Sequence, residues 1–189
     1  MKLTRSFQFL ILAAISLALL AGTPAYSKAT FTPIEGVAYM MGLPTGGTVK
    51  CIGGEPTGFW PPCTPGSKAQ LRNVVVEFEQ YVPAYPALNG PRTCILNANF
   101  DASGKGHAWG TWRAEHADGS ISEGVFTNSI TGWFAPAVGK ALGRVTEGPL
   151  DGLHVFLTLT YDYFPVNPKD PQSSPEKMDG YLLDPKGGK

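Results

Sequence analysis

The sequence predicts an all-β protein, an antiparallel barrel of seven or eight strands, with a β-sandwich as the alternative. Three observations predict it. From Ile34 onward, apolar residues recur with period two or in short runs. Glycine and proline, 23 and 17 of 189 residues, fall between those runs as turns and make up about a fifth of the chain, against the roughly 12% usual in proteins. Beyond the N-terminal segment, no long stretch keeps helical spacing without a breaker. A series of short strands, each with one dry face, buries those faces by closing on itself or by stacking as two sheets.

The N-terminal segment stands apart from that fold. Lys2 and Arg5 precede an apolar run from Phe7 to Gly22, and Ala25-Tyr26-Ser27 sets small residues where a signal peptidase cuts. Residues 1–27 read as a secretory signal cleaved after Ser27, which makes the protein secreted or periplasmic. The run of 16 residues falls short of the roughly 20 that a membrane-spanning helix needs. No other run in the mature chain could cross a bilayer. Residues 28–164 read as the barrel domain and 165–189 as a Pro-rich C-terminal tail.

The candidate strands, in order, are Ile34–Met41, Leu71–Val82, Thr93–Phe100, Gly106–His116, Ser120–Thr131, Lys140–Glu147 and Leu153–Phe164. A short last strand is expected at Gly180–Leu183, and Phe134–Leu142 is the best place for one short helix. In the seventh strand Leu153, Val155, Leu157, Leu159 and Tyr161 face one way, while His154, Thr158, Thr160 and Asp162 face the other. In the second, Val74, Val76, Phe78 and Val82 alternate with Asn73, Glu77 and Glu79. One dry and one wet face is what an antiparallel sheet around a core requires.

Export permits disulfides. Cys51 and Cys63 flank a loop of Gly and Pro (CIGGEPTGFWPPC) with little packing of its own. A bridge across a loop of this size contributes roughly 3 kcal/mol in the chain-entropy picture. Cys94, in the apolar run CILNANF, reads as a buried thiol, although its pairing with Cys51 or Cys63 stays open on sequence grounds.

Ala117-Asp118-Gly119-Ser120 lies between two alternating runs and reads as a tight hairpin turn. Pairing Ala117 with Ser120 sets Trp112 opposite Val125 and Arg113 opposite Gly124. One face of the hairpin then carries Trp109, Thr111, Arg113, Glu115, Phe126 and Asn128, and the other carries Ala108, Gly110, Trp112, Ala114, Ile121, Glu123 and Val125. If the first face is luminal, Trp109, Arg113, Phe126 and Asn128 line the mouth of a cavity and Glu115 holds Arg113. On the opposite assumption Arg113 and Glu115 form a solvated cross-strand pair contributing about 0–1 kcal/mol. Phe59 and Trp60, braced by Pro61 and Pro62, make a second candidate, a binding lip or a plug. Trp133-Phe134 invites the same two readings.

Several chemistries have no footing in the chain. Charge is balanced, 15 Lys+Arg against 15 Asp+Glu, with no basic block for nucleic acid. There is no nucleophile elbow, phosphate loop, zinc-protease helix or dinucleotide fingerprint. No metal site is expected: His107 and His116 lie an odd number of positions apart on one strand and point to opposite faces. Asp101-Ala102-Ser103-Gly104-Lys105-Gly106 has Lys105 where a calcium loop needs an acid, so it reads as a turn. No cofactor is implied.

Gly110-Thr111-Trp112, the Asp118-Gly119 turn, Glu123-Gly124 and the approach to Leu150-Asp151-Gly152-Leu153 form a series of glycine-bearing hairpins. From about Gly104 to Val155, roughly a third of the mature chain, this series resembles the secreted barrels of the allene oxide cyclase-like and dirigent-like families. The resemblance implies a calycin-like barrel, often oligomeric, with a central cavity for an apolar small molecule. Gly143 and Gly148 are spaced more loosely than the Gly-Gly-Thr-Gly signature of those families, and no active-site residue carries over.

Three functions compete on this reading. The first is an exported barrel that binds a small apolar molecule without catalysis. The second is an isomerase or cyclase-like enzyme that uses a luminal Glu115 as acid or base. The third is a secreted or envelope interaction protein, open to homo-oligomerisation, with no ligand site.

Overall fold

A computed structural model of the chain describes residues 28–58, 61–164 and 175–188. The signal segment, Phe59, Trp60 and most of the Pro-rich stretch lie outside the described residues. No helix among them is long and apolar enough to cross a membrane.

Among the described residues, nine strands form one antiparallel sheet: β1 (Thr30–Met40), β2 (Thr48–Ile52), β3 (Lys68–Tyr81), β4 (Gly90–Phe100), β5 (Lys105–Glu115), β6 (Ile121–Thr131), β7 (Ala135–Glu147), β8 (His154–Phe164) and β9 (Glu176–Asp184). From β3 to β9 each strand pairs with the next in sequence, β9 pairs with β1, and β1 returns to β3. Eight strands thus close a ring, and one continuous sheet takes the place of a sandwich's two. β1 occupies the C-terminal part of β3, from Phe78 to Tyr81, while β2 covers its N-terminal part.

Alternation decides which residues face the interior. On β4, Arg92, Cys94, Leu96, Ala98 and Phe100 are buried, and on β8, Val155, Leu159 and Tyr161. β3 keeps the expected alternation from Asn73 to Val82, and its phase changes only before that stretch. A bulge between Leu71 and Val74 turns both side chains inward although they lie an odd number of positions apart. Asn73, at φ 54°, supplies the left-handed residue, and its N–H donates to Asn97 Oδ1 at 3.1 Å.

The sequence reading is revised at three elements. The short helix expected at Phe134–Leu142 is absent; β7 begins at Ala135 and pairs on both edges. Its inner residues Ala137, Gly139, Ala141, Gly143 and Val145 are small and regularly spaced, a pattern that strands on either side turn into a wall. The segment read as a tail ends in β9, a full ring strand nine residues long. β2 escaped notice because its five residues are mostly exposed, and so they lack the contrast that marks a strand.

Candidate functional site

The ring encloses a cavity of about 280 Å³. Its wall is largely apolar and includes Val76, Leu96, Phe126 and Leu159. Of the exposed lining residues, Leu43, Pro44, Gly46, Val49, Pro56 and Gly58 come from the segment between β1 and β3 and mark a mouth, and Glu35 of β1 is exposed as well. That segment is tied by the Cys51–Cys63 disulfide, which the structure contains, while Cys94 is a buried free thiol. At the other end of β3 a 3₁₀ turn, Pro86–Leu88, lies across the ring. The Leu88 carbonyl accepts hydrogen bonds from Gln80 Nε2 at 2.8 Å and His116 Nδ1 at 3.0 Å, which pins the turn in place.

The β5–β6 hairpin differs from the expected register by one residue. His116, not Ala117, opposes Ser120: the His116 N–H donates to Ser120 O at 2.8 Å, and Gly119 N–H to His116 O at 2.9 Å. The loop is three residues long, with Gly119 in the left-handed region at φ 83°. A tertiary contact accounts for the extra residue. The Ala117 N–H donates to the Asn89 carbonyl at 2.7 Å, which withdraws Ala117 from the ladder.

One residue of slip moves a strand's side chains to the opposite face relative to its neighbour. Arg113 therefore pairs with Glu123 and Trp112 with Gly124. Trp109, Arg113 and Glu115 lie on the outside of the ring, not at the cavity mouth. Arg113 and Glu115 are 45% and 66% exposed, with Nε and Oε1 3.7 Å apart. Trp109 stacks on His107, with Arg72 over its ring. Phe126 and Asn128 do line the cavity, together with Trp112. The Trp112 indole lies against Gly143, where a Cβ would stand 2.5 Å from Cζ2, and Nε1 donates to the Val125 carbonyl at 3.3 Å. Phe59 and Trp60 lie outside the described residues, but Gly58 and Pro62 beside them border the mouth.

The polar residues of the interior come from strands that the local patterns did not single out. Arg92 of β4 and Glu176 of β9 form a buried ion pair, Nη2 to Oε1 at 2.5 Å, with side chains 4% and 1% exposed. The Tyr161 hydroxyl of β8 donates to the second oxygen, Glu176 Oε2. Arg92 Nη1 reaches Met178 Sδ at 3.3 Å, and its guanidinium carbon sits 4.6 Å from the centre of the Phe78 ring.

Burial alone would lower the Arg92 pKa, but the Glu176 carboxylate more than offsets that and holds it above the ordinary range. Burial pushes the Cys94 thiol up to about 11 against the pull of Arg92. Burial, then the Glu176 charge, raises Tyr161 well above its usual value. His116 is lowered by burial. Since the Leu88 carbonyl can only accept, Nδ1 carries the imidazole proton and Nε2 accepts from Ser122 Oγ at 2.7 Å.

Two buried polar atoms on this wall have no partner among the described residues, Arg92 Nε and Asn128 Oδ1. Parity could have revealed most of this group. Extending the expected strand Thr93–Phe100 by one residue puts Arg92 in phase with Cys94 and Leu96, and extending Gly180–Leu183 back by four puts Glu176 in phase with Met178 and Leu182. No local signal links the two across 84 residues.

Outside the ring, Asp101 Oδ1 accepts from Ser103 N–H, Ser103 Oγ and Lys105 N–H at 2.6 to 3.0 Å. The Ser103 hydrogen bonds in this turn lower the carboxyl's pKa. His107 and His116 occupy opposite faces of the hairpin. No group of three potential metal-ligating side chains occurs among the described residues. No protein-family model matches the sequence, and no curated protein matches it.

Proposed function

We propose that this chain is an exported, calycin-like barrel that binds a small, largely apolar molecule in its lumen and performs no chemistry on it. One observation carries the reading: a largely apolar cavity inside a closed ring of strands, with a few polar side chains such as Asn128 and Gln80 on its wall. A volume of about 280 Å³ lies just under the range of drug-sized sites, about 300–1,000 Å³, and suits a small ligand. Export draws on the signal-like residues 1–27 and on the disulfide, which belongs to oxidising compartments. The barrel class draws on the closed ring and on the resemblance of residues 104–155 to the allene oxide cyclase-like and dirigent-like hairpins.

The enzymatic alternative loses its expected residue, because Glu115 is exposed on the outer face. Glu176 is the carboxylate in the lumen, and Arg92 and Tyr161 occupy both its oxygens, which disfavours a role in moving substrate protons. The interaction-protein alternative draws on an outer row across paired strands, Ile95, Thr111, Val125 and Leu142, in which the three aliphatic side chains are exposed. A second copy of the chain would cover such a row.

Native mass spectrometry of protein purified from its own host tests these readings together. The expected result is a retained small molecule at one per chain, released on denaturation. Ligand-free protein that also takes up no hydrophobic probe would overturn ligand binding, and a ligand-free oligomer would favour the outer row.

A further inference from the structure

We infer that the outer wall of the ring pairs with a second copy of this chain, about a two-fold axis that runs along the strands between β8 and β9. The outer aliphatic row does not end at Leu142. Leu142 pairs with Phe156 of β8, Phe156 with Tyr181 of β9, and Tyr181 with Pro33 of β1. The Phe156 and Tyr181 rings stack with centres 4.9 Å apart, and Phe31 meets Tyr181 edge-on at 5.4 Å. Leu142, Tyr181 and Phe31 are 49%, 37% and 61% exposed. Single apolar side chains on a surface are ordinary, whereas a ridge of them across four adjacent strands marks a contact surface. Aromatic rings are also what the centre of a protein interface is enriched in.

The neighbouring row identifies the partner. Lys140, Thr158, Asp179 and Glu35 pair in that order across β7, β8, β9 and β1, two residues from the ridge on each strand, and all four are exposed. One end of this row is positive and the other negative. Thr158 keeps Lys140 two strands, about 10 Å, from Asp179, and none of the three charges forms an ion pair among the described residues. A half-turn about an axis along the strands lays each row on itself with the strand order reversed. Phe156 then faces Tyr181 of the second copy, and Lys140 is turned toward its Glu35, each contact made twice. The other face-to-face half-turn, about an axis along the ridge, keeps the strand order and inverts the rows. It sets Lys140 over Arg144 of the second copy and the Glu35 carboxylate over its Phe31 ring, so like charges meet and a charge loses water without a partner. The charge pattern therefore selects the first arrangement, with opposite charges at the rim fixing the register. Such an isologous contact uses the same patch on both copies and closes at two.

Sedimentation equilibrium of the full mature chain at low salt tests this. The chain is expected to pass from monomer to dimer over micromolar concentrations, with no larger species. Leu142→Glu puts a carboxylate into the apolar centre of the contact twice over and should weaken the dimer at least about thirtyfold. Should that variant fail to fold, Phe31→Ser, at the most exposed ring of the ridge, should weaken it about tenfold. Lys140→Glu should weaken it about fivefold by setting like charges at both rims. Combining Lys140→Glu with Glu35→Lys should restore the original affinity, which an unspecific apolar attraction would not do. A monomer at every concentration would overturn the inference and leave the ridge to a different partner. A trimer or longer assembly, a dimer as tight in the ridge variant as in the original chain, or a Lys140 reversal that the Glu35 reversal fails to rescue would overturn it as well. The cavity reading stands or falls separately, because the ridge lies outside the ring.

Discussion

Two arginine–glutamate pairs lie on opposite sides of one wall. Outside, Arg113 approaches Glu115 and Glu123 at 3.7 and 3.8 Å, with all three side chains about half exposed. Inside, Arg92 and Glu176 meet at 2.5 Å, almost wholly buried. Water screens the first pair, so either charge can leave it at little cost. The second has exchanged hydration for each other as the only opposite charge, so its balance is strict. The pair adjacent in sequence is the weak one. The pair that shapes the cavity is separated by 84 residues.

The contrast breaks most visibly at Glu176. Glu176→Gln keeps the shape and removes the charge, and stranding Arg92 should cost about 3–5 kcal/mol of unfolding free energy, read by urea denaturation. Adding Arg92→Met should recover most of that loss. A double variant as unstable as the single one would show that geometry, not charge balance, holds the interior together.

A smaller effect separates the inner and outer histidines. The folded-state pKa of His116 is lowered from an ordinary value of 6.5, so below that pH the unfolded chain takes up protons that the folded chain resists. The stability this group contributes is full above about 6.5 and falls as the pH drops toward the lowered folded value. Melting temperature measured from pH 8 to 5 should therefore decline on the acid side. The decline should be shallower in His116→Gln and unchanged in His154→Gln, whose ring is exposed. Equal profiles for the two variants would remove the inner–outer distinction.

The smallest effect is expected at the outer pair. Arg113→Ala should change stability by about 0–1 kcal/mol, less in high salt, and leave probe affinity untouched. A loss the size of that in Glu176→Gln would reverse the comparison.

Much of the architecture was legible because alternation is local. Seven of the ring strands could be placed from runs such as Leu153–Tyr161, where every second residue is apolar. The disulfide was legible because Cys51 and Cys63 close a loop with no core of its own. β9 was half read, since Glu176-Lys177-Met178-Asp179 hides its phase behind three charged residues. Of the cavity residues, Phe126 and Asn128 were singled out from the sequence, while Arg92, Tyr161 and Glu176 were not joined to them. A buried ion pair in separate strands leaves no spacing to recognise.

The series of residues alone determined an antiparallel sheet of strands taken in series and offered Cys51–Cys63 as the bridge across a loop, because alternation and loop composition depend on neighbours close in the chain. Tertiary structure alone decided which face of the β5–β6 hairpin looks inward. The Asn89 carbonyl captures the Ala117 N–H, lengthens the turn by one residue and so sends Arg113 to water and Trp112 to the lumen. Side chains alternate with a period of two residues, so a single hydrogen bond from another loop is enough to exchange the two faces.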